Sequence, residues 1–245
     1  YRATAAALSD LAAMAAAPLG VLIAFTTRAD RANDVLEAAD GIGEAVRRAG
    51  TTIAGGNLSV GPLLSITTTV LGSAFAPLSR AGARIGDAVY VTGRLGGPAA
   101  TVRALAIGQV PPAAHRARFV APAPRIAEAR WLAVRGATAA IDISDGLARD
   151  AEHLALASGV SLQIDTGRVP MVEGVTLDDA LGGGEEYELL VTAPERLQDA
   201  AFASAFGIPL TRIGAVAATA AAPEVVFTRS GKRVAAPPGY DHFSR

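Results

Sequence analysis

The stretch that most restricts this chain runs from Ala137 to Leu147. An apolar run, Ala137 to Ile141, reads as a buried strand, and a helical pattern follows from Leu147 to about Ala157. Between them stand Asp142, Ser144 and Asp145. On an extended chain Asp142 and Ser144 face the same side, because side chains alternate with a period of two. Ser and Asp are good helix N-caps, and Gly146 eases the turn. The unit therefore sets two acids and a hydroxyl at the mouth of a helix, where free N–H groups and the helix dipole attract a phosphate. Carboxylates beside a phosphate repel it unless a divalent cation lies between them, and hard oxygen ligands suit Mg²⁺. A capped helix with one structural Asp is the plain alternative.

Strand-like and helical patterns alternate around this unit. Arg2 to about Ala16 predicts an Ala-rich helix, Val21 to Thr26 a strand, and Asp30 to Arg48 a helix stopped by Gly50. Thr51 to Ala54 predicts a short strand ending in Gly55-Gly56-Asn57-Leu58-Ser59, which reads as a turn or a close approach to a ligand. Leu63 to Ala76 is strand-like. Pro77 to Gly86 reads as a connector, giving an expected N-terminal unit of residues 1–79 and a C-terminal unit of residues 80–245. In the second unit, strands are predicted at 87–93, 137–141, 160–164, 189–192, 211–216 and 225–228. Helices are predicted at 98–107, 126–135, 147–157 and 195–206. The prolines from Pro111 to Pro124 predict an irregular stretch around His115 and Phe119, and 170–181 reads as a short acidic connection. The alternation indicates an α/β or α+β chain of two units.

Composition removes several classes of function. There is no cysteine, hence no disulfide, thiolate metal site or Cys nucleophile. A net charge of -1 offers no basic footprint for nucleic acid. The longest apolar run, Leu11 to Phe25, contains Pro18 and Gly20 and falls short of the roughly 20 residues that span a bilayer, so no membrane partner is expected. No signal peptide is visible, and the expected location is the cytoplasm. The chain opens at Tyr1 inside a helical pattern, so further residues are expected upstream.

Asp10 sits among small apolar neighbours on the first predicted helix; such an acid faces a solvated cleft or meets a cation. No P-loop, nucleophile elbow or Gly-x-Gly-x-x-Gly after a strand is present. His153 reads as a surface or packing residue. Scattered carboxylates and Gly-rich turns without a nucleophile favour metal-assisted phosphoryl transfer, in which positioning and charge neutralisation do most of the catalysis.

Five runs then carry a resemblance: Leu8-Ser9-Asp10-Leu11-Ala12-Ala13-Met14, Arg80-Ala81-Gly82-Ala83-Arg84-Ile85-Gly86-Asp87, Ile141-Asp142-Ile143-Ser144-Asp145-Gly146-Leu147, Gly183-Gly184-Glu185-Glu186-Tyr187-Glu188-Leu189-Leu190 and Gly239-Tyr240-Asp241-His242-Phe243. In this order they resemble the thiamine-monophosphate kinase family, of the aminoimidazole ribonucleotide synthetase-like superfamily. The resemblance implies a two-domain α/β fold of that superfamily, with its N-terminal domain incomplete here, and homodimers paired through N-terminal strands. It implies ATP-dependent phosphorylation of thiamine monophosphate to thiamine diphosphate. Carried over by motif, Asp10, Asn57, Asp142 and Asp145 would be Mg²⁺ ligands, with Asp142 and Asp145 catalytic. Gly56, Asn57, Arg80 and Ser144 would lie at ATP. Glu185, Tyr240 and Phe243 would meet the cationic thiamine end. The family usually has Asp where Asn57 stands, so that position offers an oxygen without the charge. Two other readings stay open: another superfamily enzyme acting on a phosphorylated or carboxylated substrate, or a non-catalytic nucleotide-binding or dimerisation remnant.

Overall fold

In the computed structural model, which describes residues 1–194, 197 and 199–239, two sheets are joined by one shared helix. Helix α1 (Arg2–Ala13) opens the chain. Strand β1 (Ala17–Thr27), helix α2 (Ala32–Arg48) and strands β2 (Ile53–Val60) and β3 (Ser65–Ser73) follow. These strands form a sheet of order β2-β1-β3, with β2 parallel and β3 antiparallel to β1. Helices α1 and α2 cover one face, burying Leu8, Leu11, Val21, Ile42 and Val46 together. The pattern of β3, with Ile66, Thr68 and Val70 half-buried and their neighbours exposed, shows a sheet packed on one side only.

The expected turn at Gly55–Ser59 is not there. β2 runs straight through it, pairing Ile23 with Gly56 and Ala24 with Asn57. Gly56 is required because a Cβ at this point would stand 2.0 Å from the Ile23 carbonyl oxygen. The close approach that suggested a ligand is made by the neighbouring strand instead.

The second sheet holds strands β4 (Ala88–Thr92), β5 (Ala139–Asp142), β6 (Ser161–Asp165), β7 (Leu189–Ala193), β8 (Leu210–Ala217), β9 (Val225–Arg229) and β10 (Lys232–Arg233), in the order β10-β9-β6-β8-β4-β7-β5. Its helices are α3 (Gly97–Ala106), α4 (Ala113–Val120), α5 (Ile126–Ala133), α6 (Leu147–Ser158), α7 (Leu177–Gly182) and α8 (Asp199–Phe206). Strands β4, β5 and β7 are buried on both faces, which explains their unbroken apolar sequences. Alternate residues serve opposite layers. Val89, Val91, Ile141 and Leu190 pack with Leu147, Ala151 and Leu154 of α6, while Ala88, Tyr90, Ala140, Leu189 and Val191 pack with Ala12 of α1, Leu132 of α5 and Phe202 of α8.

Two further departures have local causes. The proline-bracketed stretch contains α4, whose N-cap is Pro112; a proline is tolerated before the first turn because no N–H is needed there. The acidic stretch contains α7, started by a capping box in which Thr176 and Asp179 satisfy each other's backbone N–H groups. The helix expected from residue 195 is described from Asp199; Glu195, Arg196 and Gln198 lie outside the described residues.

Candidate active site

The site forms where α1 crosses the open end of β5. Ser9 is fully buried, and its hydroxyl donates to Asp142 Oδ2 at 2.7 Å, joining residues 133 positions apart. Asp142, 4% exposed, ends β5. Asp10, next to Ser9, is exposed. Burial lifts the Asp142 carboxyl above its ordinary pKa; the Ser9 bond opposes this and the charge of Asp10 adds to it. Burial also raises Asp10, against the pull of Arg80. Asp10, Asp142 and Arg80 are thus close enough to feel one another.

The next turn adds a second acidic group. Asp150, buried in the first turn of α6, accepts the backbone N–H groups of Ser144 and Asp145 through one oxygen, each at 3.0 Å. Burial pushes its pKa up to about 7, and the charges of Asp145 and Asp142 push the same way. Carboxylate oxygens of Asp145 and Asp150 and a ring nitrogen of His153 all lie within 4.8 Å of one another, a spacing that could hold a metal ion. Burial lowers the pKa of His153, with Arg149 and Arg80 acting in the same direction and Asp145 and Glu152 against it, which favours the neutral imidazole that can ligate. Sequence reasoning missed Asp150 and set His153 aside. The available signal was an acid one helical turn past an Asp-rich N-terminus.

A stitched pair of loops fixes this turn to the Gly-rich run. The Glu185 N–H donates to the Ser144 carbonyl, the Tyr187 N–H to the Ile143 carbonyl, and the Ile143 N–H to the Glu188 carbonyl. The pairing extends the β5–β7 ladder beyond Asp142 and Leu189. Gly184 allows it, since a Cβ there would meet the Ser144 oxygen at 2.4 Å. Glu185 and Tyr187 have φ of 67° and 52°, left-handed values that non-glycine residues rarely hold and that concentrate at functional sites. Beneath them Glu188, fully buried, receives both Arg125 and Arg118 as well as the Thr92 hydroxyl.

Ser144, Asp145 and Glu185 face a cavity of about 850 Å³ that Arg2, Phe119 and Tyr187 also line. That volume lies within the few hundred to ~1,000 Å³ typical of small-molecule sites. Gly56 and Asn57 line a different cavity, of about 470 Å³, between the first sheet and α2. Tyr240 and Phe243 lie outside the described residues.

The fold and these acids define the class first. Residues 1–74 match the family described as AIR synthase related protein, N-terminal domain, and residues 84–223 its C-terminal counterpart. Within that class, the chain is 39% identical over 207 residues to the thiamine-monophosphate kinase of Methanopyrus kandleri, covering 80% of this chain and 66% of that protein. It is 34% identical over 259 residues to the thiamine-monophosphate kinase of Rhodopirellula baltica, covering 99% and 75%. A solved structure described as AaThiL complexed with AMPPCP and TMP superposes with a TM-score of 0.83 at 29% identity, over 99% of this chain and 82% of that one. The chain belongs to the thiamine-monophosphate kinase family.

Proposed function

We propose that the protein transfers the γ-phosphoryl group of ATP to thiamine monophosphate, forming thiamine diphosphate and ADP, with Mg²⁺ as the metal. The observation that carries this reading is the meeting of Asp10 on α1 with Asp142 on β5, beside Asp145 and Asp150. Burial first, and then the charge of neighbouring carboxyls, push up both Asp142 and Asp150, so a cation bound in this cluster would relieve that repulsion. The donors that Asp10, Asp142 and Asp145 offer are all hard oxygens, as Mg²⁺ requires. A Mg²⁺ bound there would supply charge neutralisation for the two phosphates.

The chain's own residues supply position. Asp10, Asp142 and Asp145 would hold the metal; Asp150 holds the Ser144–Asp145 backbone in place by accepting its two N–H bonds. Ser144 and Arg80 lie toward the nucleotide phosphates, and Glu185 toward the cationic end of the acceptor. A phosphate monoester has a second pKa near ~6, so the acceptor is already largely ionised at neutral pH and needs no general base. Its oxygen attacks the γ-phosphorus as the bond to the β-phosphate oxygen breaks.

Gly56 and Asn57 take part through the first sheet, where nucleotide contact is assigned by motif alone. The second face of that sheet supports the homodimer: Leu22 and Leu71, whose strand neighbours Val21 and Val70 pack toward the helices, are exposed along it. The reading keeps the division of the chain at residues 79 and 80 and a cytoplasmic location. Among the described residues no helix is long and apolar enough to cross a membrane.

An assay coupling ADP release to NADH oxidation, on the full-length protein, tests the function. Turnover that requires both Mg²⁺ and thiamine monophosphate is expected. Turnover with another phosphorylated or carboxylated acceptor, and none with thiamine monophosphate, would refute it.

A further inference from the structure

The cavity beside Ser144 and Glu185 already grips a planar cation. The Arg2 guanidinium lies over the face of Phe119, 4.0 Å from the ring centroid, and donates from Nε to Glu185 Oε2 at 2.8 Å. The Tyr187 hydroxyl donates to the same carboxylate oxygen at 2.8 Å and so fixes its orientation. An aromatic face over one flat positive group and an aligned carboxylate at its N–H edge make a subsite for a delocalised cation.

This subsite is held rigidly. Phe119 sits near the end of α4, beside Arg118, whose guanidinium is anchored to the Arg94 carbonyl at 2.6 Å and to buried Glu188 at 3.0 Å. Glu185 is fixed from the other side by its N–H bond to Ser144. Ser144 and Asp145 line the same cavity, so a ligand whose ring lies between Phe119 and Glu185 can extend a phosphate toward the acidic turn.

We propose that Phe119 is a specificity-determining residue: with Glu185 it receives the positively charged ring of the acceptor substrate, and Arg2 marks the place that ring takes. The inference rests on the kinase reading above, in which the acceptor carries a thiazolium. A thiazolium and the guanidinium cannot share one ring face, so Arg2 yields Phe119 when substrate enters. Phosphorylated compounds with a neutral ring lose both the cation–π term and the pairing with Glu185, and the subsite discriminates against them.

The test is calorimetric titration of the full-length protein with thiamine monophosphate and with its isostere in which a neutral thiophene replaces the thiazolium. Wild type should bind the cationic ligand more tightly. Phe119→Leu should weaken thiamine monophosphate by up to roughly thirty-fold, the upper limit set by a cation over an aromatic face, less the contact that Arg2 also loses. It should leave the isostere and ATP nearly unchanged, and Phe119→Tyr should restore the preference for charge. Equal losses for both acceptors, or no loss for either, would overturn the inference while leaving the kinase reading intact. Failure of wild type to bind thiamine monophosphate at all would overturn both.

Discussion

Replacing Asp142 by Asn separates the chemistry of the site from its architecture. The two side chains have the same shape, and the retained oxygen can still accept the Ser9 hydroxyl at the observed 2.7 Å. Hydrogen bonds to a charged group are worth about 1.5–3 kcal/mol and neutral ones about 0.5–1.5, so the loss on this bond is about 1 kcal/mol. Against it stands the relief of a carboxylate whose charged form is disfavoured by burial and by Asp10. Net stability should therefore move by no more than about 1 kcal/mol in urea unfolding. Turnover should move far more. Removing one preorganised electrostatic group aimed at developing charge costs ~10²–10³-fold in kcat. The ADP-release assay at saturating ATP, run with a Mg²⁺ titration, should show that loss together with a higher Mg²⁺ requirement. Activity within threefold of wild type at unchanged stability would remove Asp142 from the site. Destabilisation of more than about 3 kcal/mol would show that the charge is structural, a cost matching a broken buried ion pair.

Two further outcomes follow from the glutamates below the loop. Glu188→Gln leaves the Arg125 and Arg118 guanidiniums facing amide hydrogens or a neutral oxygen in a buried setting, and should destabilise the protein by about 3–5 kcal/mol by urea or thermal unfolding. A loss below 1 kcal/mol would show that water replaces the carboxylate. Glu186 is buried, accepts the Gly96 N–H, and is pushed up by burial to about 8. The folded chain keeps this proton while the unfolded chain releases it near ~4.3, so this group's contribution to stability falls as pH rises from about 4 to 8. Glu186→Gln should flatten that part of the curve, and wild-type and variant unfolding curves that stay parallel across the window would refute the assignment.

Much of the second unit was legible because its central strands are buried on both faces. Ala137–Ile141 and Leu189–Thr192 can hardly be anything but interior strands, and the acids just past Ile141 had to emerge at an open sheet end. The expectation that a strand would stop at Ala54 failed for a reason no local rule supplies. Gly55-Gly56 has the composition of a turn, yet it lets β2 lie against the backbone of Ile23. Asp150 was missed because its role depends on the path of the 144–146 turn, which folds backbone N–H groups toward α6. The subsite at Phe119 was illegible because it unites α1, α4 and the Gly-rich loop, residues far apart in sequence. His115 lies outside it, bonded to the Glu173 carbonyl.

Helix α1 belongs to both sheets: Leu8 and Leu11 are buried with the first, Ala12 with the second, and Ser9 and Asp10 ride between them. A shift of α1 against the second sheet would move Asp10 relative to Asp142 directly. The acidic cleft thereby acts as a caliper whose jaws are set by alanine and leucine contacts. Enlarging Ala12 should spoil the gap between those jaws without touching an acid.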